Sequence, residues 1–208
     1  MLDIAKIFRK AKIVGIIRTD SAEKAIKAAK SFLSAGFTTI EFTMTTPDAT
    51  TCIREIKESG NYSVGMGSVN NTKLAKQAID AGADFIVCPH LDKKIINLAN
   101  DADKPVIPGV ATPTEIIKAL RLGASVVKVF PSNCLGGINY IKALFGPYPD
   151  LNIFATGGIR ANDIKHYLNA GALCIGIGGE IFKADYINNG QFDKIYEKAI
   201  AVKQSIEQ

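Results

Sequence analysis

Two charged side chains interrupt apolar runs where ordinary core formation does not call for them. Lys128 stands in Ser125-Val126-Val127-Lys128-Val129-Phe130-Pro131, and Glu41 in Thr38-Thr39-Ile40-Glu41-Phe42-Thr43. Both runs are rich in β-branched and aromatic residues, the composition of a buried strand. Apolar neighbours on both sides of Lys128 would strip water from an ammonium and favour the neutral amine, a nucleophile toward carbonyl carbon. A lysine at a strand mouth can equally snorkel to solvent or pair with a carboxylate, so the run alone leaves both readings open. Glu41 is the matching carboxylate late in its strand. Burying it is costly unless a cation or a proton partner is close, and Lys128 is the obvious one. A Lys and Glu pair of this kind suits proton shuttling near neutral pH, and it would also serve as a plain core ion pair.

Other chemistries find less support. His90 and His166 are the only histidines, they fall in different segments, and no His/Cys/Asp spacing suits a metal, so no metal or cofactor is expected. His166 reads as a helix-surface residue, and His90, in Cys88-Pro89-His90, as a loop residue near the end of a strand. Cys52, Cys88, Cys134 and Cys174 show no CxxC spacing and read as reduced thiols in mostly apolar settings. The glycine-rich Gly176-Ile177-Gly178-Gly179 follows a last strand and not a first one, so it is no dinucleotide fingerprint. Together with Thr156-Gly157-Gly158-Ile159 it could instead expose backbone N–H groups to a phosphate, or form only tight turns.

The elements that must position these groups alternate along the whole chain. Strands are expected near 13–17, 38–43, 63–67, 84–88, 105–108, 125–130, 152–156 and 173–178. Helices are expected near 22–35, 47–59, 72–81, 93–100, 113–122, 140–144, 161–170 and 192–206. Asp20 or Ser21 reads as an N-cap, and Pro47 and Pro113 read as first helical residues behind Thr46 and Thr112. Ala35-Gly36, Ala81-Gly82, Leu122-Gly123 and Ala170-Gly171 each precede a strand and fit left-handed C-caps. Eight β-then-α units suit a closed parallel (β/α)₈ TIM barrel of the α/β class far better than an open sheet of about five strands. Catalytic groups of such a barrel sit at the C-terminal strand ends.

The 208 residues are enough for one domain, 1–208, and too few for two comfortable α/β domains. An apolar share of 47% against a charged share of 22% is that of a globular chain with a packed core. The formal charge of +5 arises from 25 basic and 20 acidic residues without a basic block, which argues against a nucleic-acid partner and allows a mild attraction for anionic metabolites. The N-terminal MLDIAKIFRKAK is amphipathic and broken by charge, and no apolar run approaches membrane-spanning length, so no membrane partner is expected and the cytoplasm is the expected compartment.

With Glu41, Lys128 and the two glycine pairs in place, the chain resembles the KDPG/KHG aldolase family along nearly its whole length. "IEFTMTTP" is similar to the family's glutamate strand, "VGMGSV" to its third, "CPHLD" to its fourth and "IPGVATPTE" to its fifth. "VKVFPSN" is similar to its Schiff-base strand and "FATGGI" to its phosphate-loop strand. The resemblance implies that Lys128 forms an imine with a 2-keto acid and that Glu41 is the general acid/base. It implies a small-molecule substrate, 2-keto-3-deoxy-6-phosphogluconate or 4-hydroxy-2-oxoglutarate, no cofactor, and a homotrimer. The substrate carboxylate would be held by Thr45, Ser68 and backbone near Pro89 and Thr112, with Arg18 an added cation. Phe130 would line the site, and Gly157, Gly158, Gly178 and Gly179 would receive the phosphate. The chain departs from the best-known pattern at Thr45, where an arginine is usual, at Ser68 for threonine, at Ser132-Asn133 for Ala-Glu, and at Gly179 for serine. Two other readings remain: a phosphate-binding isomerase or epimerase using Lys128 only as a charge, and a catalytically silent barrel binding a sugar-acid phosphate.

Overall fold

The computed structural model describes residues 2–207. Within them the strands are β1 (Ile13–Ile17), β2 (Thr39–Thr43), β3 (Ser63–Gly67), β4 (Phe85–Val87), β5 (Val106–Ile107), β6 (Gly109–Val110), β7 (Val127–Val129), β8 (Ile153–Thr156) and β9 (Cys174–Ile177). The helices are α1 (Ile4–Ala11), α2 (Ala22–Ser34), α3 (Ala49–Ser59), α4 (Thr72–Asp80), α5 (Lys93–Asp101), α6 (Pro113–Arg121), α7 (Gly137–Phe145), α8 (Ile164–Asn169), α9 (Ala184–Asn188) and α10 (Phe192–Glu207). Every paired strand is parallel, in the order β5-β4-β3-β2-β1-β9-β8-β7-β6. The two ends of that order, β5 and β6, are neighbours in the chain with only Pro108 between them, so the sheet curls into a nearly closed parallel barrel.

The expected fifth strand is therefore two strands, and the physical reason is Pro108. Proline has no N–H to give to a ladder. Ile107 pairs with Val87 on one side, and Gly109 pairs with Lys128 on the other. The Pro108 carbonyl still accepts from Lys128 N at 2.8 Å, so the break joins the two edges while interrupting the ladder. The helix starts differ at one of the two expected Thr-Pro caps. Thr112 caps α6 with a full reciprocal box to Glu115, behind Pro113 at the first turn. Thr46 does not cap α3, which begins two residues past Pro47 behind a left-handed Asp48. Ser21 is the N-cap of α2, its hydroxyl accepting from Lys24 N. The glycines at 36, 82, 123 and 171 all have positive φ, as left-handed C-caps require. Residues 161–163 form a 3₁₀ turn before α8, and α7 starts at Gly137, earlier than its apolar run.

Strand alternation divides the core in two. Ile40, Phe42, Val127, Val129 and Ala155 face outward to the helices. Val14, Phe85, Val87, Ile107, Val126, Phe154 and Cys174 fill the inside of the barrel with Ile4 and Phe8 of α1. The amphipathic N-terminal stretch is thus a plug. Phe8 is fully buried and meets Phe85 edge-on at 5.3 Å and Phe154 at 5.1 Å, closing the end opposite the C-terminal strand ends. Asp3 caps α1 by accepting from Lys6 N. Phe8→Ala is expected to lower the unfolding free energy by about 3–5 kcal/mol, the usual cost of truncating a buried aromatic. Urea denaturation followed by circular dichroism reads it, and a loss no larger than a surface substitution's, about 0.5 kcal/mol, would show that α1 does not close the barrel.

Candidate active site

Glu41 and Lys128 both point into the barrel, because the residues flanking them on their strands face the helices. Glu41 is fully buried and Lys128 is 7% exposed. Gly67, beside Glu41 on β3, is what makes room for the carboxylate: a Cβ there would run into Glu41 Oε1. Both Glu41 oxygens lack a hydrogen-bond partner among the described residues. Burial pushes its carboxyl above the usual carboxylate range, and the nearby charges of Lys128 and Arg18 act against that shift. The two residues therefore interact through the field and not through a contact, which is not the geometry of a core ion pair. Lys128 instead extends toward the mouth, with Nζ 5.0 Å from the centre of the Phe130 ring. Cys88 lies close enough to feel the Lys128 charge, yet burial pushes its thiol up to about 12, so its sulfur stays protonated at neutral pH.

The rim above this pair comes from loops of several strands. Arg18, the residue after β1, donates from Nη2 to Ser68 Oγ after β3 at 3.4 Å, bridging the mouth over Glu41's strand. Ser68 has φ +58°, a left-handed conformation that costs a non-glycine residue roughly 1–2 kcal/mol. Thr46 is buried, and its Oγ1 accepts from Thr19 N at 3.3 Å, tethering the loop that carries Arg18 to the loop after β2. Thr45 is exposed, and its hydroxyl lies 2.8 Å from that of Thr43. Pro89 is exposed at the rim, and the absence of a side chain on Gly109 lets β6 approach its backbone. The Thr112 N–H is held by Glu115 Oε2 at 2.9 Å, and the Ala111 N–H by the same oxygen at 2.8 Å, so the capping box takes the donors expected to face a carboxylate there.

The opposite side of the mouth is glycine. Gly157 and Gly158 have φ of +97° and +70°, and a Cβ at 158 would collide with the Asn133 carboxamide, so this loop needs glycine both for its turn and for its neighbour. Asn133 N donates to Gly157 O at 3.2 Å, tying the turn after β7 to the turn after β8. Gly178 O accepts from Ile181 and Phe182, while Gly179 is open on its Cβ side. His90 and His166 are exposed. Cys52, Cys88 and Cys174 are buried, but Cys134 is exposed on the turn after β7, which corrects the expectation of core thiols at that position. Three interior hydroxyls were not among the expected site residues: Thr39 and Thr43, which share Glu41's face at spacing two, and Thr156. Period-two alternation from Glu41 marks the first pair; Thr156 was hidden behind its glycine neighbours.

A protein-family model described as KDPG and KHG aldolase matches residues 4–198. The chain is 34% identical over 194 residues to the 2-dehydro-3-deoxy-phosphogluconate aldolase of Haemophilus influenzae, covering 92% of this chain and 91% of that one. It is 32% identical over 189 residues to the KHG/KDPG aldolase of Escherichia coli K12, covering 90% and 88%. Among solved structures it is similar to the KDPG aldolase of Legionella pneumophila, with pyruvate captured as a covalent carbinolamine intermediate. That similarity has a TM-score of 0.90 at 27% identity and covers 97% of this chain and 98% of that one.

Glu41's raised carboxyl has a consequence for stability. The folded state holds this proton more tightly than the unfolded state, where a glutamate titrates near pH 4.3. The contribution to stability is therefore complete below about pH 4.3 and is lost as pH rises through the raised folded value. Glu41→Gln removes that loss: in urea titrations it is expected to be more stable than the parent at pH 8, and the two are expected to converge toward pH 4. A variant less stable than the parent at pH 8 would mean that ionised Glu41 is compensated after all.

Proposed function

The chain belongs to the KDPG and KHG aldolase family, and from that premise we propose that it is a class I aldolase that forms an imine on Lys128. It cleaves 2-keto-3-deoxy-6-phosphogluconate to pyruvate and glyceraldehyde 3-phosphate, or 4-hydroxy-2-oxoglutarate to pyruvate and glyoxylate. The observation that carries this reading is a nearly buried lysine whose amine reaches the mouth of the barrel while an unpaired carboxyl group lies inside it, within its field. We read 106–110 as one strand interrupted at Pro108, which makes the architecture a single (β/α)₈ domain. The resemblance supports a homotrimer working in the cytoplasm; among the described residues no helix is long and apolar enough to cross a membrane.

The chemistry follows from the need for an electron sink. An iminium at C2 accepts the electrons of the breaking C3–C4 bond far better than a ketone. Lys128 Nζ adds to C2, the oxygen leaves as water with a proton from Glu41, and Glu41 becomes a carboxylate. That carboxylate takes the C4 hydroxyl proton as the C3–C4 bond breaks, which releases the aldehyde and leaves an enamine. Glu41 then returns the proton to C3, and hydrolysis of the pyruvate imine restores both groups. One carboxyl group serves each transfer, so no second acid is needed.

The rim residues sort by what they can still donate. Arg18 and Ser68 grip the keto-acid carboxylate, and Arg18, just after β1, thereby supplies the guanidinium that the resemblance would have put at Thr45, just after β2. Thr45 and Pro89 shape the rim, Thr112 acts through its cap, and Phe130 forms a wall beside the amine. The backbone at Gly157, Gly158, Gly178 and Gly179 receives the distal phosphate or carboxylate.

Borohydride in the presence of pyruvate is expected to add a reduced pyruvate adduct to Lys128, read by intact mass and peptide mapping. Lys128→Met is expected to stay unlabelled, and labelling elsewhere, or none, removes the imine and leaves the electrostatic isomerase reading. Glu41→Gln is expected to retain some trapping while cleavage falls by roughly two to four orders of magnitude, the scale of a lost general acid/base. For Arg18→Met, loss of one charged hydrogen-bond pair of about 1.5–3 kcal/mol is expected to appear as a higher KM with a smaller change in kcat, because the carboxylate is held before and during cleavage. Steady-state kinetics on both substrates check it, and an unchanged KM would place the carboxylate elsewhere.

A further inference from the structure

The face of the barrel opposite the mouth holds a cleft of about 470 Å³, between the end of α1, the starts of β8 and β9, and the helices α7 and α8. Arg9, Lys12 and Lys165 line it, and no aspartate or glutamate does. Among the described residues none of these three cations is in a salt bridge. Asp150, between the lining residues Pro149 and Leu151, is exposed and does not line the cleft.

Two features set these cations apart from ordinary surface charges. Lys12, the C-cap of α1, has φ +58° and ψ −30°. The helices α2, α4, α6 and α8 turn back through glycine, at 36, 82, 123 and 171. A lysine at positive φ carries the Cβ penalty that glycine avoids, and it lacks the short polar side chain with which Asp103 after α5 can offset it. Its backbone is fixed from both sides: the N–H donates to Phe8 O at 2.9 Å, and the carbonyl accepts from Ile175 N at 2.9 Å. A strained lysine where glycine would serve calls for a use of its ammonium. The second feature is Arg9, whose Nη2 donates to Asn152 Oδ1 at 3.1 Å while Asn152 Nδ2 donates to Ser125 O at 3.0 Å. A neutral amide, itself held, thus orients the guanidinium without cancelling its charge. The rest of the wall is apolar, with Phe145, Leu168 and Leu173 half-buried along it. Phe145 packs on Gly171, where a Cβ would run into its ring.

We propose that this cleft is a second binding site, for an organic polyphosphate with an aromatic body, the chemistry of a nucleoside diphosphate. Arg9 grips phosphate oxygens with its fork, Lys12 and Lys165 act on them as point charges, and the ring system lies against Phe145, Leu168 and Leu173. A single carboxylate would leave most of the positive charge unanswered, and an inorganic anion would leave the apolar wall wet. The volume falls within the range of about 300–1,000 Å³ usual for small-molecule sites. Arg9 and Lys12 belong to the helix whose Phe8 closes the barrel, and Lys165 belongs to α8, so a ligand spanning them clamps the plug from outside. The site is remote from Lys128 and does not depend on the imine reading.

Isothermal titration calorimetry with ADP, pyrophosphate and adenosine, at low and high salt, tests the site. ADP is expected to bind saturably, more weakly as salt rises, and pyrophosphate and adenosine are each expected to bind at least about tenfold more weakly than ADP. Lys12→Gly and Lys165→Met are each expected to weaken ADP on the order of tenfold, as when one charged hydrogen bond is lost. Thermal unfolding without ligand guards against a folding defect, because Lys12→Gly removes the strained Cβ and is expected to unfold at a higher temperature than the parent. ADP is expected to raise the unfolding temperature of the parent more than that of either variant. Absence of saturable binding up to about 10 mM ADP overturns the proposal. Pyrophosphate binding as tight as ADP also overturns it, since the apolar wall then takes no part. ADP affinity unchanged in either variant places the nucleotide elsewhere, the glycine turns of the mouth included, and overturns it as well.

Discussion

A carboxyl group buried without a hydrogen-bond partner is the constraint around which the interior is arranged. Taking a carboxylate out of water is opposed by desolvation, and Glu41 answers it with a raised proton affinity instead of a contact cation. That outcome depends on features far apart in the chain. Gly67 leaves the volume that the side chain occupies, and Ile4 and Phe8 seal the end of the barrel beneath it. Arg18 and Lys128 hold positive charge toward the mouth. Without the α1 plug, water would reach the interior from below and solvate the carboxylate.

The closure of the sheet is what sets the lysine against this carboxyl group. A continuous strand can pair along both edges at one level, as β1 does with β2 and β9, whereas the run from Val106 to Val110 divides its two edges along its length. The break at Pro108 lets one half pair with β4 and the other with β7, and the Pro108 carbonyl is itself an acceptor for Lys128 N. Lys128 is thus held in register between Gly109 and Phe154, while its side chain is free to extend along the interior. Rigid backbone under a long flexible side chain is a suitable arrangement for a nucleophile that must reach a substrate and retract.

Much of this was legible in local pattern. Strand runs, helical periods and the Ala-Gly and Leu-Gly turns are short-range signals, and the charged interruptions at Glu41 and Lys128 stand out against their neighbours. What local pattern does not carry is partnership across the chain. Arg18 and Ser68 meet fifty positions apart, so the grip of one on the other cannot be inferred from either segment. Thr112 reads equally well as a rim donor and as a helix cap until Glu115 is seen to take its N–H. Pro47 resembles Pro113 in sequence, but Asp48 adopts a left-handed turn and moves the start of α3. The N-terminal stretch shows its amphipathy plainly, and its role as a plug depends on Phe85 and Phe154, which belong to distant strands.

The unpaired polar atoms of the interior also separate stability from chemistry. Among the described residues, Thr39, Glu41 and Thr156 contribute four buried oxygens without hydrogen-bond partners, within a barrel whose remaining interior residues are largely apolar. A chain selected for stability alone would have valine or leucine at such positions, since an apolar side chain of equal volume carries no desolvation cost. Their retention is intelligible where an oxygen or nitrogen arrives from outside and uses them. Glu41 and Thr156 lie on β2 and β8, on either side of β1 and β9 in the order of the barrel, and Lys128 on β7 adjoins β8. The energetic deficit of the resting interior becomes favourable binding only when the reacting atoms are in place, which is the differential stabilisation that catalysis requires.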